Sequence, residues 1–71
     1  MLFQPGMTIE DIETLRNDLL NLERALRALA EEAERNQWMR LAANIEFAAD
    51  RIERAIGLLN DRIFENVRMG E

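Results

Sequence analysis

The sequence predicts an all-α fold: an antiparallel helical hairpin that assembles into a homo-oligomeric bundle of four or more helices. Three observations carry this. Ile12, Leu15, Leu19, Leu22, Leu26, Leu29 and Ala33 recur in alternating steps of three and four, the spacing of a left-handed coiled-coil seam. A second apolar set, Trp38, Leu41, Ile45, Ala48, Ala49, Ile52, Ile56, Leu59 and Ile63, is out of phase with the first. At about 100° per residue the stripe direction jumps by roughly 110° between them, too far for one straight helix to hide both on one partner. Finally, the second stripe is broad enough to touch two neighbours, as in a four-helix bundle.

Residues 1–7 read as an N-terminal tail, in which Pro5-Gly6 turns the chain. Helix 1 is expected over 8–35. Thr8 caps it, Asp11 stands three residues on as in a capping box, and Met7 is placed to staple against Ile12. Glu23 with Arg27 and Glu31 with Arg35 add i,i+4 pairs worth about 0.3–0.5 kcal/mol each. A tight turn is expected at Arg35-Asn36-Gln37, with Asn36 as the left-handed residue, and helix 2 over 37–68. At about 1.5 Å per residue the helices reach roughly 40–48 Å. Trp38 is expected to pack across the hairpin mouth, and Gly57, unfavourable inside a helix, to mark a close helix crossing or ligand approach.

Two helices have no inside. Each shields one side of the other and the remaining apolar surface stays wet, so a chain of 71 residues is expected to oligomerise, with a homodimer as the minimal solution. The expected oligomer core is Leu15, Leu19, Leu22, Leu26 and Leu29 from helix 1, with Ile45, Ile52, Ile56 and Leu59 from helix 2.

Composition excludes most catalytic templates. There is no Cys and no His, which removes thiol nucleophiles, thiolate metal sites, and the commonest metal ligand and general base. We expect no enzyme activity, metal or cofactor. A net charge of −5 opposes attraction to polymeric nucleic acid or anionic lipid. No apolar run approaches the roughly 20 residues of a membrane span, and the first residues lack the basic and apolar regions of a signal peptide, so a cytoplasmic location without membrane contact is expected.

The candidate binding residues are Arg40, Phe47, Arg51 and Arg54. A helical wheel groups them with Leu58 and Arg62 opposite the buried stripe of helix 2. Guanidinium groups pair bidentately with phosphate or carboxylate, and aromatic rings stack on bases. The strip therefore reads either as a site for an anionic, ring-bearing ligand or acidic peptide, or as a solvated face or second packing seam. Asp50, Glu53 and Asp61 lie near enough in sequence to neutralise part of it.

Two family resemblances bear on these alternatives. Residues 8 to 56 resemble the helical-hairpin phage anti-defence proteins that sequester cyclic nucleotide signals of CBASS and Thoeris immunity. The likeness lies in Thr8-Ile9-Glu10-Asp11-Ile12, the turn into Asn36-Gln37-Trp38, then Leu41-Ala42-Ala43-Asn44 and Arg54-Ala55-Ile56. That family's Gly-Phe-Met stretch, its basic residue after the turn and its proline-containing tail are absent here. The resemblance implies a homo-oligomer with pockets between protomers, a cyclic nucleotide ligand, and Arg54 as the matched basic residue. Leu22-Glu23-Arg24-Ala25-Leu26 and Ile52-Glu53-Arg54-Ala55-Ile56-Gly57-Leu58-Leu59 also look similar to the two helices of type III secretion needle co-chaperones. This second resemblance implies a hetero-oligomer with a partner chaperone. The functional expectation is a non-catalytic, phage-encoded sponge for an anionic cyclic nucleotide. The alternative is an adaptor, co-chaperone or phage inhibitor that docks on a host protein through its helical surface.

Overall fold

The computed structural model describes the backbone of residues 8–69 and the side chains of residues 8–65. Two helices, α1 (Ile9–Arg35) and α2 (Met39–Met69), pack against each other as a hairpin. The tail and the Met7 staple lie outside the described residues.

The start of α1 is a reciprocal capping box. Thr8 holds an extended backbone, its Oγ1 accepts from the Asp11 N–H at 3.2 Å, and its own N–H donates to Asp11 Oδ2 at 3.0 Å. Two donors that the first helical turn leaves unpaired are thereby satisfied. The Glu23–Arg27 pair forms at 2.8 Å, whereas Arg35 turns to Glu32 at 3.2 Å rather than to Glu31.

The turn corrects the expectation for Asn36. That residue has φ −93° and ψ 8°, and Gln37 is the left-handed residue, with φ 60°. The hydrogen bonds explain the shift. The Gln37 N–H donates to the Glu34 carbonyl at 2.9 Å and the Trp38 N–H reaches back to the Ala33 carbonyl at 2.8 Å, a Schellman pattern that reverses the chain one residue beyond the cap. Asn36 instead donates its side-chain Nδ2 to the Glu32 carbonyl at 2.8 Å. Because Gln37 and Trp38 serve the turn, α2 begins at Met39, two residues later than expected, and the Trp38 carbonyl accepts its first bond from the Ala42 N–H at 2.9 Å.

The hairpin interior is built from Ile12, Ala30 and Ala33 of α1 against Ala42, Ala49, Ile56 and Leu59 of α2, all buried. Alanines line the half nearest the turn and the larger side chains lie toward the open end. Leu15, Leu19, Leu26, Ile45 and Ile52 are half-buried beside them. Leu22 and Leu29 depart from the single-seam expectation: they remain 46% and 55% exposed. The residues of α1 that face α2 follow the steps Ile12, Arg16, Leu19, Glu23, Leu26, Ala30, Ala33. With fully buried Ala30 in that seam, α1 is rotated so that the row Leu15, Leu22, Leu29 falls on its flank.

Two further expectations are overturned. Trp38 is 60% exposed, because the mouth is closed by the small, buried Ala33 and Ala42, which leave no slot for an indole. Gly57 marks no close crossing of α1 and α2: a Cβ placed there meets nothing within 4 Å.

Candidate ligand strip on α2

The helical repeat brings Phe47, Arg51 and Arg54 onto one exposed face of α2 within about two turns. The Arg51 guanidinium carbon lies 4.9 Å from the centroid of the Phe47 ring, inside the range for cation–π attraction. Phe47 itself is 59% exposed, so one ring face is covered by a cation and much of the remaining surface is open. Arg40 lies seven residues before Phe47, and exposed Leu58 and Arg62 extend the strip toward the open end. From Arg40 to Arg62 it spans roughly 33 Å at 1.5 Å per residue. The structure thus brings Phe47, Arg51 and Arg54 together and leaves Arg40 a separate cation two turns away. The strip is an open helix surface, not an enclosed cavity.

Its electrostatics are set from the other helix. Asp50 and Glu53, the acidic neighbours placed to neutralise it, are engaged across the hairpin by Arg27, whose Nη2 lies 3.4 Å and 2.9 Å from their carboxylates while also holding Glu23 at 2.8 Å. The hydrogen bond to Glu23 raises the Arg27 pKa above its ordinary value; desolvation, the next largest effect, opposes it, and the hydrogen bond to Asp50 adds a smaller rise. Among the described residues, Arg40, Arg51, Arg54 and Arg62 form no ion pair. The result is a local cationic surface on a chain of net charge −5.

Sequence reasoning missed two features. The first is the Arg27 bridge: the i,i+4 pair with Glu23 was legible, but contact with Asp50 and Glu53 depends on the register set by the turn. The second is a groove of about 800 Å³ between the helices toward the open end, lined by Leu15, Leu19, Ile52, Ala55, Leu58 and Leu59 and edged by Arg62 between two acids, Asp61 and Glu65. Its signal was the broad apolar face of α2, which one partner helix cannot cover. Leu15, Leu19, Ile52 and Leu59, expected in an oligomer core, all border it.

Among the described residues, no helix is long and apolar enough to cross a membrane, and no three acidic side chains gather as metal ligands. No family model, curated protein or solved structure matches the chain.

Proposed function

We propose that this chain is a non-catalytic, cytoplasmic binding module that assembles with itself and captures an anionic, ring-bearing ligand on the α2 strip. One observation carries the proposal: Arg51 stacked on exposed Phe47, with Arg54 on the same face and two of the three acidic neighbours, Asp50 and Glu53, engaged by Arg27. Guanidinium groups take phosphate oxygens bidentately, and the exposed Phe47 ring beside them offers apolar surface to a base. Cyclic nucleotides combine those two chemistries, and the resemblance to phage anti-defence sponges implies the same ligand class, with sequestration rather than turnover as the mechanism.

The experiment is calorimetric titration of the protein with a panel of cyclic mono-, di- and trinucleotides, repeated with Arg54→Ala. Saturable binding that Arg54→Ala abolishes, with oligomer mass and helicity unchanged, supports the proposal. Equal affinity in the variant removes the assigned site.

A second reading is favoured by the exposed Leu22, Leu29, Leu41 and Leu58. As an adaptor or inhibitor, the hairpin docks on another protein's helix through apolar anchors. That reading expects binding to depend on Leu58 and to change little with salt, while the nucleotide reading expects affinity to fall as ionic strength rises.

A further inference from the structure

The two flanks of the hairpin differ in kind. On one, Arg27 ties α1 to Asp50 and Glu53 of α2, and the Arg16 guanidinium donates to Asn60 Oδ1 at 3.2 Å. On the other, Leu15, Leu22 and Leu29 form a row on α1 at seven-residue spacing, and Leu41, Ala48 and Ala55 form a row on α2 at the same spacing. The groove lined by both Leu15 and Ala55 places the two rows on one flank. Neither row contains a charge until Arg62, the next heptad position of the second.

The rows complement each other in size and level. The α1 row is leucine throughout, whereas the α2 row is alanine at its middle positions. Contacts of Arg16 with Asn60 and of Arg27 with Asp50 fix the register between the helices. With 1.5 Å of rise on each helix, Leu22 then stands level with about residue 54 and Leu29 with about residue 47, close to Ala55 and Ala48. The body measures 51 × 19 × 16 Å. Its long side therefore offers roughly 800 Å², about what one partner contributes to a stable, specific interface.

From these observations we infer that a second copy of this chain covers the Leu22 flank. In that arrangement α1 of each copy lies over α2 of the other, antiparallel, with both turns at the same end and the two-fold axis along the hairpin. Leu22 and Leu29 of one copy then sit on Ala55 and Ala48 of its partner, large on small, as knobs in a four-helix bundle do. The Arg27 flank and the strip from Arg40 to Arg54 stay outside, while Arg62, the next position of the Ala48 and Ala55 row, lies at the edge of the covered flank. This inference rests on the self-assembly part of the proposed function and names its surface and geometry.

The chain contains no cysteine, so engineered cysteines report contacts without background. Leu22→Cys and Ala55→Cys proteins are mixed, unfolded and refolded together, then oxidised, alongside each variant alone; the mass of the wild type is measured separately in solution. The inference expects a wild-type mass of at least twice 8.3 kDa, a disulfide joining Leu22→Cys to Ala55→Cys chains, and little self-linkage of Leu22→Cys. A wild type of monomer mass overturns the assembly itself. An oligomer in which Leu22→Cys links mainly to itself leaves the assembly standing and overturns this arrangement, placing α1 on α1 instead. Leu22→Asp supplies an independent readout: association weakened by roughly 100-fold or more with helicity kept supports the buried flank, and an unchanged dissociation constant overturns it.

Discussion

Arg27 holds Glu53 across the hairpin at 2.9 Å while its Nη2 lies 3.4 Å from Asp50, and both carboxylates belong to the helix that carries the arginine strip. Asp50 stands four residues before Arg54, the spacing at which an acid N-terminal to a base pairs along a helix. The cross-helix bridge therefore does two things. It ties the flank of the hairpin, and it keeps Asp50 from Arg54. Replacing Arg27 by Ala should lower stability only modestly, because Asp50 and Glu53 are solvent-exposed and water screens their attraction to Arg27. The same change should weaken anion binding several-fold as Asp50 turns to Arg54. Chemical denaturation and ligand titration of the one variant measure both effects.

Gln37 is a side-chain-bearing residue in a left-handed conformation, with φ 60°. A Cβ in that region is strained by roughly 1–2 kcal/mol, and glycine is free of the strain. Gln37→Gly should raise stability by up to about 1 kcal/mol, the relief being partly offset by glycine's greater freedom in the unfolded chain. Thermal unfolding by circular dichroism is the check; a lowered midpoint would show that the Gln37 side chain makes a contribution the turn geometry does not account for.

Gly57 faces open space within α2. Gly57→Ala should stabilise the helix by about 1 kcal/mol, since alanine is the better helix former and nothing has to move to admit its methyl group. Ligand affinity should be unchanged. A loss of affinity in this variant would place a ligand against that backbone, as the sequence alone first suggested.

Leu22 separates the hairpin from its assembly. At 46% exposure in the single hairpin it can become aspartate without burying a charge inside the α1–α2 interface. Leu22→Asp should therefore give a folded monomer. Ile56→Asp, at a buried position, should unfold the chain, because an unpaired carboxylate is costly to take out of water. Sedimentation and circular dichroism on both proteins distinguish the two outcomes.

The sequence carried the hairpin through its heptads, the capping pair Thr8 and Asp11, and the phase jump at the turn, all local or periodic signals. What it left open depends on how one helix is rotated against the other. Leu15, Leu22 and Leu29 have the spacing of a seam, yet Ala30 and Ala33 allow the closer approach, and spacing alone does not rank an alanine contact above a leucine one. Asn36 and Gln37 are both plausible left-handed residues until the Ala33 and Glu34 carbonyls claim their donors. Trp38 looked like a plug because it is large and apolar, but its partners across the mouth are alanines. The strip residues Arg40, Phe47, Arg51 and Arg54 were legible from the helical wheel. The Arg27 bridge that leaves Arg51 and Arg54 unneutralised was not, since it needs the register between helices.

The central claim is that Phe47, Arg51 and Arg54 form a binding surface and not a solvated face. Native mass spectrometry tests it most directly, on protein purified from cells that produce cyclic nucleotides. The account predicts a homo-oligomer carrying additional mass of nucleotide size, lost in Arg54→Ala while the oligomer persists. An oligomer of bare protein mass, equally bare when cyclic nucleotides are added in excess, would contradict it.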